Sequence, residues 1–176
     1  MKTLVVYKSQ TGFTKKYAQW IAERAEGKAI PVSEAKKLKK ADLDQYDAIV
    51  YGGWCIAGQI SGDAWLRKNY KDFTDKKLVL FACGASPEDY PDTQIFLQKT
   101  LNEEEKKYIK LFYCPGGLNY EKMNAGSKLA MKALVATIRA NKKSTKEDLE
   151  AADIMSSNYD NTDEKHVEPI ISYLYS

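Results

Sequence analysis

YKSQTGFTKKY, residues Tyr7–Tyr17, joins two kinds of sequence. Before it lies a compact apolar run, TLVVY (Thr3–Tyr7), rich in the β-branched residues that strands favour. After it, Tyr17, Ala18, Ile21, Ala22 and Ala25 recur at helical spacing, and Gly27 closes the segment. Between the two stand Ser9, Gln10, Thr11, Gly12, Phe13 and Thr14. Three hydroxyls and one glycine thus sit where a strand hands over to a helix. Unpaired N–H groups and the helix dipole at such a start attract an anion. The hydroxyls add neutral donors, and the glycine lets the backbone pass close to a ligand. The stretch lacks the Gly-Lys-Ser/Thr ending of a Walker A loop and the G-x-G-x-x-G dinucleotide fingerprint. Taken alone, these residues also read as a plain serine- and threonine-rich helix cap.

The same alternation continues along the chain. Lys28–Val32 is a weak second strand at an edge, and Ser33–Lys40 a lysine-rich short helix or turn. Ala48–Tyr51 (AIVY), Leu78–Cys83 (LVLFAC) and Ile109–Cys114 (IKLFYC) are further strands, the first ending at Gly52-Gly53. Ser61 is positioned to cap a helix through Tyr70 that buries Ala64, Trp65 and Leu66. Thr93–Lys107 is helical in part, and Ser127–Ala140 is a helix with Leu129, Ala130, Ala133, Leu134 and Ile138 on one side. Lys142–Asp163 is polar and irregular, with a short helix over Lys146–Ala152. Val167, Ile170, Ile171 and Leu174 form a last helical stripe, whose start Pro169 limits. The strands are short apolar runs without period-2 alternation, as burial on both faces requires. The expectation is an α/β fold: a doubly wound five-stranded parallel sheet in three layers, forming a single domain over residues 1–176. Right-handed crossovers then put a ligand site at the carboxyl ends of the strands, where the strand order reverses.

Composition narrows the function classes. A chain of 176 residues suits one domain; its net charge of +3 is mildly basic, its lysine runs read as solvated faces, and no nucleic-acid partner is expected. No apolar stretch approaches the roughly 20 residues of a membrane-spanning helix, so no integral membrane segment is expected. The N-terminal MKTLVVYKSQ has no small-residue cleavage site and reads as a strand. Cys55, Cys83 and Cys114 show no zinc spacing and no C-x-x-C motif; an odd, sparse count fits a reducing cytoplasm, with each thiol a small buried hydrophobe. The single His166 lies in a polar stretch and is expected at the surface.

Three more loops follow strands. Gly52-Gly53-Trp54-Cys55-Ile56-Ala57-Gly58 places a tryptophan between glycines, where a flat ligand can stack on the indole. Cys83-Gly84-Ala85-Ser86 gives small residues for close backbone approach, and Tyr90 further on is placed to cover a ring. Pro115-Gly116-Gly117-Leu118-Asn119-Tyr120 offers a backbone-rich edge. Each loop alone also reads as an ordinary turn or packing element. Together they describe a phosphate at one end and a planar, partly apolar ring at the other, which is the shape of flavin mononucleotide (FMN). Trp54 and Tyr90 would flank the ring, and Gly58 lets its peptide change orientation, because glycine tolerates φ > 0.

The sequence resembles the flavodoxins here. Their T/S-x-T-G-x-T phosphate loop after the first strand is similar to SQTGFT at Ser9, Thr11, Gly12 and Thr14, and the order of elements agrees along essentially the whole chain. Within that family it looks most like the flavodoxin-domain proteins that include the flavodoxin-like protoporphyrinogen IX dehydrogenase. MKTLVVY, the Tyr46–Gly52 pattern, Gly58, the Gly116–Tyr120 loop and the long helix after it carry the likeness. The resemblance implies a flavodoxin-like fold, bound FMN and electron transfer, with the Ala57–Gly58 peptide facing the flavin N5 and a redox protein or a small planar substrate as partner. It leaves two roles open, since one fold hosts carriers and enzymes: an electron carrier, or an FMN-dependent oxidoreductase acting on protoporphyrinogen IX or a quinone. A phospho-receiver of the same fold needs an acidic pair after the first strand and an aspartate after the third. Lys8-Ser9 and Gly53-Trp54 stand there instead.

Overall fold

The computed structural model describes residues 1–56 and 58–176. Its main sheet is built from β1 (Thr3–Lys8), β2 (Lys28–Pro31), β3 (Ala48–Ile56), β5 (Lys77–Gly84) and β6 (Ile109–Pro115), in the order β2-β1-β3-β5-β6. These five strands are parallel, with Leu4 paired to Lys28 and Ile49, Ile49 to Leu78, and Leu78 to Ile109. The expected doubly wound sheet is therefore present. A two-residue strand, β4 (Gln59–Ile60), folds back antiparallel on β3.

Helices cover both faces. Alternate residues of each strand point to opposite sides, so Val5, Val50, Val79 and Phe81 meet α1 (Phe13–Arg24) and α8 (Glu168–Tyr175). Leu4, Val6, Ile49, Tyr51 and Leu80 meet the other layer, which holds α2 (Val32–Ala35), α3 (Lys40–Asp44), α4 (Ala64–Asn69) and α5 (Pro91–Thr100). α1 forms where the sequence pattern places it, and Tyr17, Ala18, Ile21 and Ala22 are its buried face. It ends as Glu26 takes a left-handed φ of 49° and Gly27 donates to the Ala22 carbonyl at 2.7 Å. In α8, Ile170 and Leu174 are buried, and the Lys77 ammonium bonds the Tyr173, Leu174 and Ser176 carbonyls. A cation at a helix C-terminus satisfies carbonyls that the helix leaves unpaired.

Between β6 and α8 the chain makes a further unit. It comprises β7 (Gly117–Leu118), α6 (Ala125–Ala140), α7 (Lys146–Met155) and β8 (Tyr159–Asp160), with β7 and β8 paired antiparallel.

Two sequence expectations need correction. The third strand does not stop at Gly52-Gly53: β3 runs on to Ile56, so Gly52, Gly53, Trp54, Cys55 and Ile56 are strand residues. A Cβ at Gly52 would lie 1.9 Å from the Phe81 ring, so the glycine there makes room in the core and does not end the strand. Ser61 does not cap a helix. Its N–H donates to the Trp54 carbonyl at 2.9 Å and its carbonyl accepts from the Tyr51 hydroxyl at 2.9 Å, which commits it to the β3–β4 hairpin. α4 therefore starts at Ala64, which is exposed, while Leu66 is buried and Trp65 stacks on Tyr51 at 6.2 Å. The helix expected over Ser127–Ala140 is present as α6; Leu129, Ala130, Ala133 and Leu134 of its apolar side are exposed, and Val135 is the buried position.

Candidate functional site

The site begins where β1 hands over to α1. Gly12 caps the helix at φ 107°, a left-handed conformation that non-glycine residues rarely adopt. The Ser9 Oγ accepts from the Gly12 N–H at 3.2 Å and so shapes the loop from within. No side chain caps the start of α1 among the described residues. Its first-turn N–H groups have no partner inside the helix, and they carry the positive end of the dipole. Thr14 is buried, next to Cys83.

A cavity of about 550 Å³ opens beside this turn and runs along the strand ends. Gln10, Thr11, Phe13 and Thr14 line it at one end, followed by Trp54, Cys55, Ile56 and Gly58, then Cys83, Gly84, Ala85 and Ser86, and Gly117. The expected loops thus converge on one space. Ser9, Gly12 and Gly116, which the sequence also placed at the site, are not among its lining residues. Ala57 lies outside the described residues, so the Ala57–Gly58 peptide is not described; Gly58 has a φ of 73°.

Tyr90 does not line the cavity, contrary to expectation. Pro91 at the first turn of α5 restricts Tyr90 to an extended conformation, φ −67° and ψ 134°, and its carbonyl accepts from Gln94 N–H at 3.0 Å. Its side chain is 38% exposed, and Asp92, Thr93 and Phe96 take the wall on that side. His166 is half-buried rather than exposed, and it lines shallower surface pockets outside this cavity.

Besides Asp92, Thr93 and Phe96, two further groups of lining residues were not anticipated. Tyr113 and Leu118 belong to the strands below, and Met123, Ser127, Ala130, Met131, Leu134 and Met155 come from the α6–α7 unit. The helical stripe through Ala130 and Leu134 was the available signal, and it faces the cavity mouth rather than the core.

A strap near the C-terminus fixes the loops. The Tyr113 hydroxyl donates to the Ser86 carbonyl at 2.6 Å, and the Tyr159 hydroxyl to the Ala85 carbonyl at 3.0 Å. Asn161 N–H donates to the Gly116 carbonyl at 2.8 Å, and Gly116 N–H to Gly84 at 2.6 Å. The Tyr17 hydroxyl donates to the Pro115 carbonyl at 2.5 Å and accepts from Asp163 N–H at 3.2 Å. Lys16 reaches Asp160 at 3.3 Å and Thr162 at 2.7 Å. Burial pushes the Asp160 carboxyl up, but hydrogen bonds from Thr162 and Lys16 outweigh it and hold the group below the usual aspartate range.

The lining is nearly neutral. Asp92 is the single carboxylate among the described lining residues, and no lysine or arginine lines the cavity. Outside it, the Lys8 ammonium lies 5.3 Å from the Trp54 ring centroid, within cation–π range. Burial pushes the Cys55 and Cys83 thiols up to about 12, so both are neutral at pH 7. No cluster of metal-ligating side chains occurs among the described residues.

Residues 4–147 match the family described as the flavodoxin domain. The chain belongs to the flavodoxin domain family. This flavodoxin domain is similar in structure to a flavodoxin from the domain Archaea, at 14% identity over 100% of both chains with a TM-score of 0.45. It is also similar to oxidised flavodoxin 1 from Bacillus cereus, at 13% identity over 89% of this chain and 97% of that one, TM-score 0.42. The flavodoxin, WrbA-like protein from Agrobacterium tumefaciens shows 20% identity over 88% and 95%, with a TM-score of 0.42. No curated protein matches the sequence. In this flavodoxin domain the cavity lies outside the carboxyl ends of β1, β3 and β5, on both sides of the switch in strand order between β1 and β3.

Proposed function

We propose that this flavodoxin domain binds FMN and passes electrons through it. The observation that carries the reading is the continuity of one cavity from the uncapped start of α1 to Trp54 and the ends of β3 and β5. Its chemistry suits such a ligand: neutral donors and a helix N-terminus for the phosphate, and aromatic and small residues for the ring. When bound, the flavin supplies the redox chemistry. The first-turn N–H groups of α1 and the Thr11 and Thr14 hydroxyls hold the phosphate, with Ser9 shaping the loop through its bond from Gly12 N–H. Trp54 stacks along the ring, and Gly84 makes room for Tyr113, whose hydroxyl would lie 2.2 Å from a Cβ there. The raised thiol pKa values of Cys55 and Cys83 keep nucleophiles away from the ring. α8 packs into the same core as α1, which supports one domain over the whole chain although the family match ends at residue 147.

Titration of cofactor-stripped protein with FMN, followed by calorimetry and visible absorbance, tests the reading. One-to-one binding with a perturbed flavin spectrum is expected, together with weaker binding of riboflavin, which lacks the phosphate. Absence of FMN binding overturns it.

A specific feature also favours the enzyme reading, in which protoporphyrinogen IX or a quinone reacts at the flavin. The cavity continues beyond the strand ends to an apolar wall of Met131, Leu134 and Met155, more surface than a ring on Trp54 needs. Methionine is a pliable lining for a flat apolar molecule. Turnover of either compound by FMN-loaded protein without a protein partner supports the enzyme; electron exchange only with a redox protein supports the carrier.

A further inference from the structure

The two edges of the main sheet are finished differently. An edge strand offers unpaired N–H and C=O groups to any chain beside it, and proteins blunt such edges with short strands, proline and lysine. β2 is four residues long, starts at the exposed Lys28 and ends at Pro31. β6, at the other edge, runs seven residues from Ile109 to Pro115, and among the described residues it pairs with β5 on one side alone. Backbone groups alternate in direction along a strand, so about half of β6 presents them outward. Its exposed residue is Lys110, near the start. Leu111 and Phe112, at the centre, are half-buried. They line a groove of about 400 Å³ that also touches Leu97 of α5 and Pro169 of α8.

The two ends of this edge carry opposite charge. Lys107 and Lys110 stand at the start of β6, both exposed. Glu88 and Asp89, also exposed, stand at its far end, where they share a second groove with Pro115. Burial pushes the Tyr113 and Cys114 side chains up, and the charge of Glu88 adds to both shifts, which places that carboxylate beside the last turn of the edge. None of these four charges forms an ion pair among the described residues. Lys165, which also lines the first groove, is held by Asp163 at 2.8 Å.

We infer that β6 pairs antiparallel with β6 of a second copy of this chain, joining the two sheets edge to edge. An antiparallel neighbour lays its lysine end against the carboxylate end of the first, and a two-fold axis repeats the contact. A parallel neighbour would set like charges side by side. The register that overlaps the whole strand puts the axis at Phe112, with Lys110 opposite Cys114 and Leu111 opposite Tyr113. Opposed residues then point to the same face, so the layer holding α5 stays on one side in both copies and α8 on the other. Paired strands lie about 4.8 Å apart, within reach of a lysine side chain, so Lys110 of one copy meets Glu88 of the other. Ser86 lines both the second groove and the main cavity, so that contact braces a loop of the cavity wall. Neither the edge nor its test depends on a bound flavin.

Sedimentation equilibrium of the full chain, as purified, at low and high salt tests the pairing. A concentration-dependent dimer that weakens with salt is expected. Lys110→Glu and Glu88→Lys, both at exposed positions, each bring like charges together at two symmetric places. Each weakens the dimer about tenfold or more while the melting temperature holds. An equal mixture of the two variants recovers the parental dissociation constant to within a few-fold, because each copy then meets the opposite sign. Amide exchange over residues 109–115 slows as the dimer forms. Protein that stays monomeric at every concentration overturns the proposal, as do charge reversals without effect or variants that stay apart on mixing. So does a dimer whose formation leaves amide exchange in β6 unchanged, which would assign the contact to another face.

Discussion

The Tyr159 hydroxyl donates to the backbone carbonyl of Ala85 across 3.0 Å, tying β8 to the loop after β5. Ala85 and Ser86 line the cavity, so a residue near the C-terminus holds part of the wall. Tyr159→Phe keeps the ring and removes the bond. It should cost about 0.5–1.5 kcal/mol in urea unfolding. FMN affinity should fall several-fold, because the loop must then be ordered on binding. Unchanged affinity would show that the loop is fixed without Tyr159.

Trp54 is the aromatic residue of β3 that lines the cavity, with the Lys8 ammonium against it. Trp54→Ala should raise the Kd for FMN by about tenfold or more, since stacking adds about 0.5–1.5 kcal/mol to the loss of buried area. The flavin absorbance bands should shift as well. Calorimetry and spectra identical to the parent would remove Trp54 from the site. Lys8→Met, which keeps the aliphatic stem, should leave the fold intact and alter Trp54 fluorescence.

Two glycines separate conformational strain from steric clash. At Gly12, φ is 107° and a Cβ would meet nothing within 4 Å, so Gly12→Ala carries only backbone strain, of about 1–3 kcal/mol. At Gly52 the added Cβ would sit 1.9 Å from the Phe81 ring, deep in the sheet. Gly52→Ala should therefore prevent folding or lower the melting temperature steeply. Gly12→Ala should fold and lose FMN affinity, because relaxing the loop re-aims the N–H groups of α1. Circular dichroism melts and FMN titration separate the two. Gly12→Ala protein with parental affinity would place the phosphate elsewhere.

The layers of the fold were legible because two periodicities are clean in the sequence. Tyr17, Ala18, Ile21 and Ala22 sit at helical spacing and are all buried, and TLVVY and LVLFAC are unbroken apolar runs that become inner strands. The Gly52-Gly53 pair misled because glycine marks turns when read locally, while the ring that requires Gly52 to be small, Phe81, arrives 29 residues later. Ser61 had the chemistry of a cap, but a hairpin bond to Trp54 decided its place. The cavity's first loop was readable from hydroxyls, a glycine and a helix start. Its far wall was not, because α6 carries an ordinary amphipathic stripe, and nothing local says that the stripe faces a cavity. The strap of Tyr159, Asn161 and Asp163 was hidden in a polar segment, since its bonds run to backbone carbonyls far away in sequence or to Tyr17.

The cysteines give a prediction in pH. Burial pushes Cys55 and Cys83 up to about 12, and Cys114 well above its ordinary value. The thiolate is the reactive form, so at pH 8 native protein should resist iodoacetamide while denatured protein takes up label at all three positions, as counted by mass spectrometry. The linkage has a definite sign. Groups with raised folded-state pKa values contribute stability that is fully present below the ordinary thiol pKa of about 8.5, and that is lost as pH rises from there toward the folded values. Urea midpoints should therefore fall between about pH 8.5 and 10, before the tyrosines ionise. Cys83→Ala should flatten that limb. Cys55 is half-buried and lines the cavity, so it should label first as pH rises, and bound FMN should slow it without changing Cys114. Rapid labelling of Cys55 in native protein at pH 8 would mean a thiolate beside the ring position, and the assignment of the cavity as a site free of nucleophiles would fail.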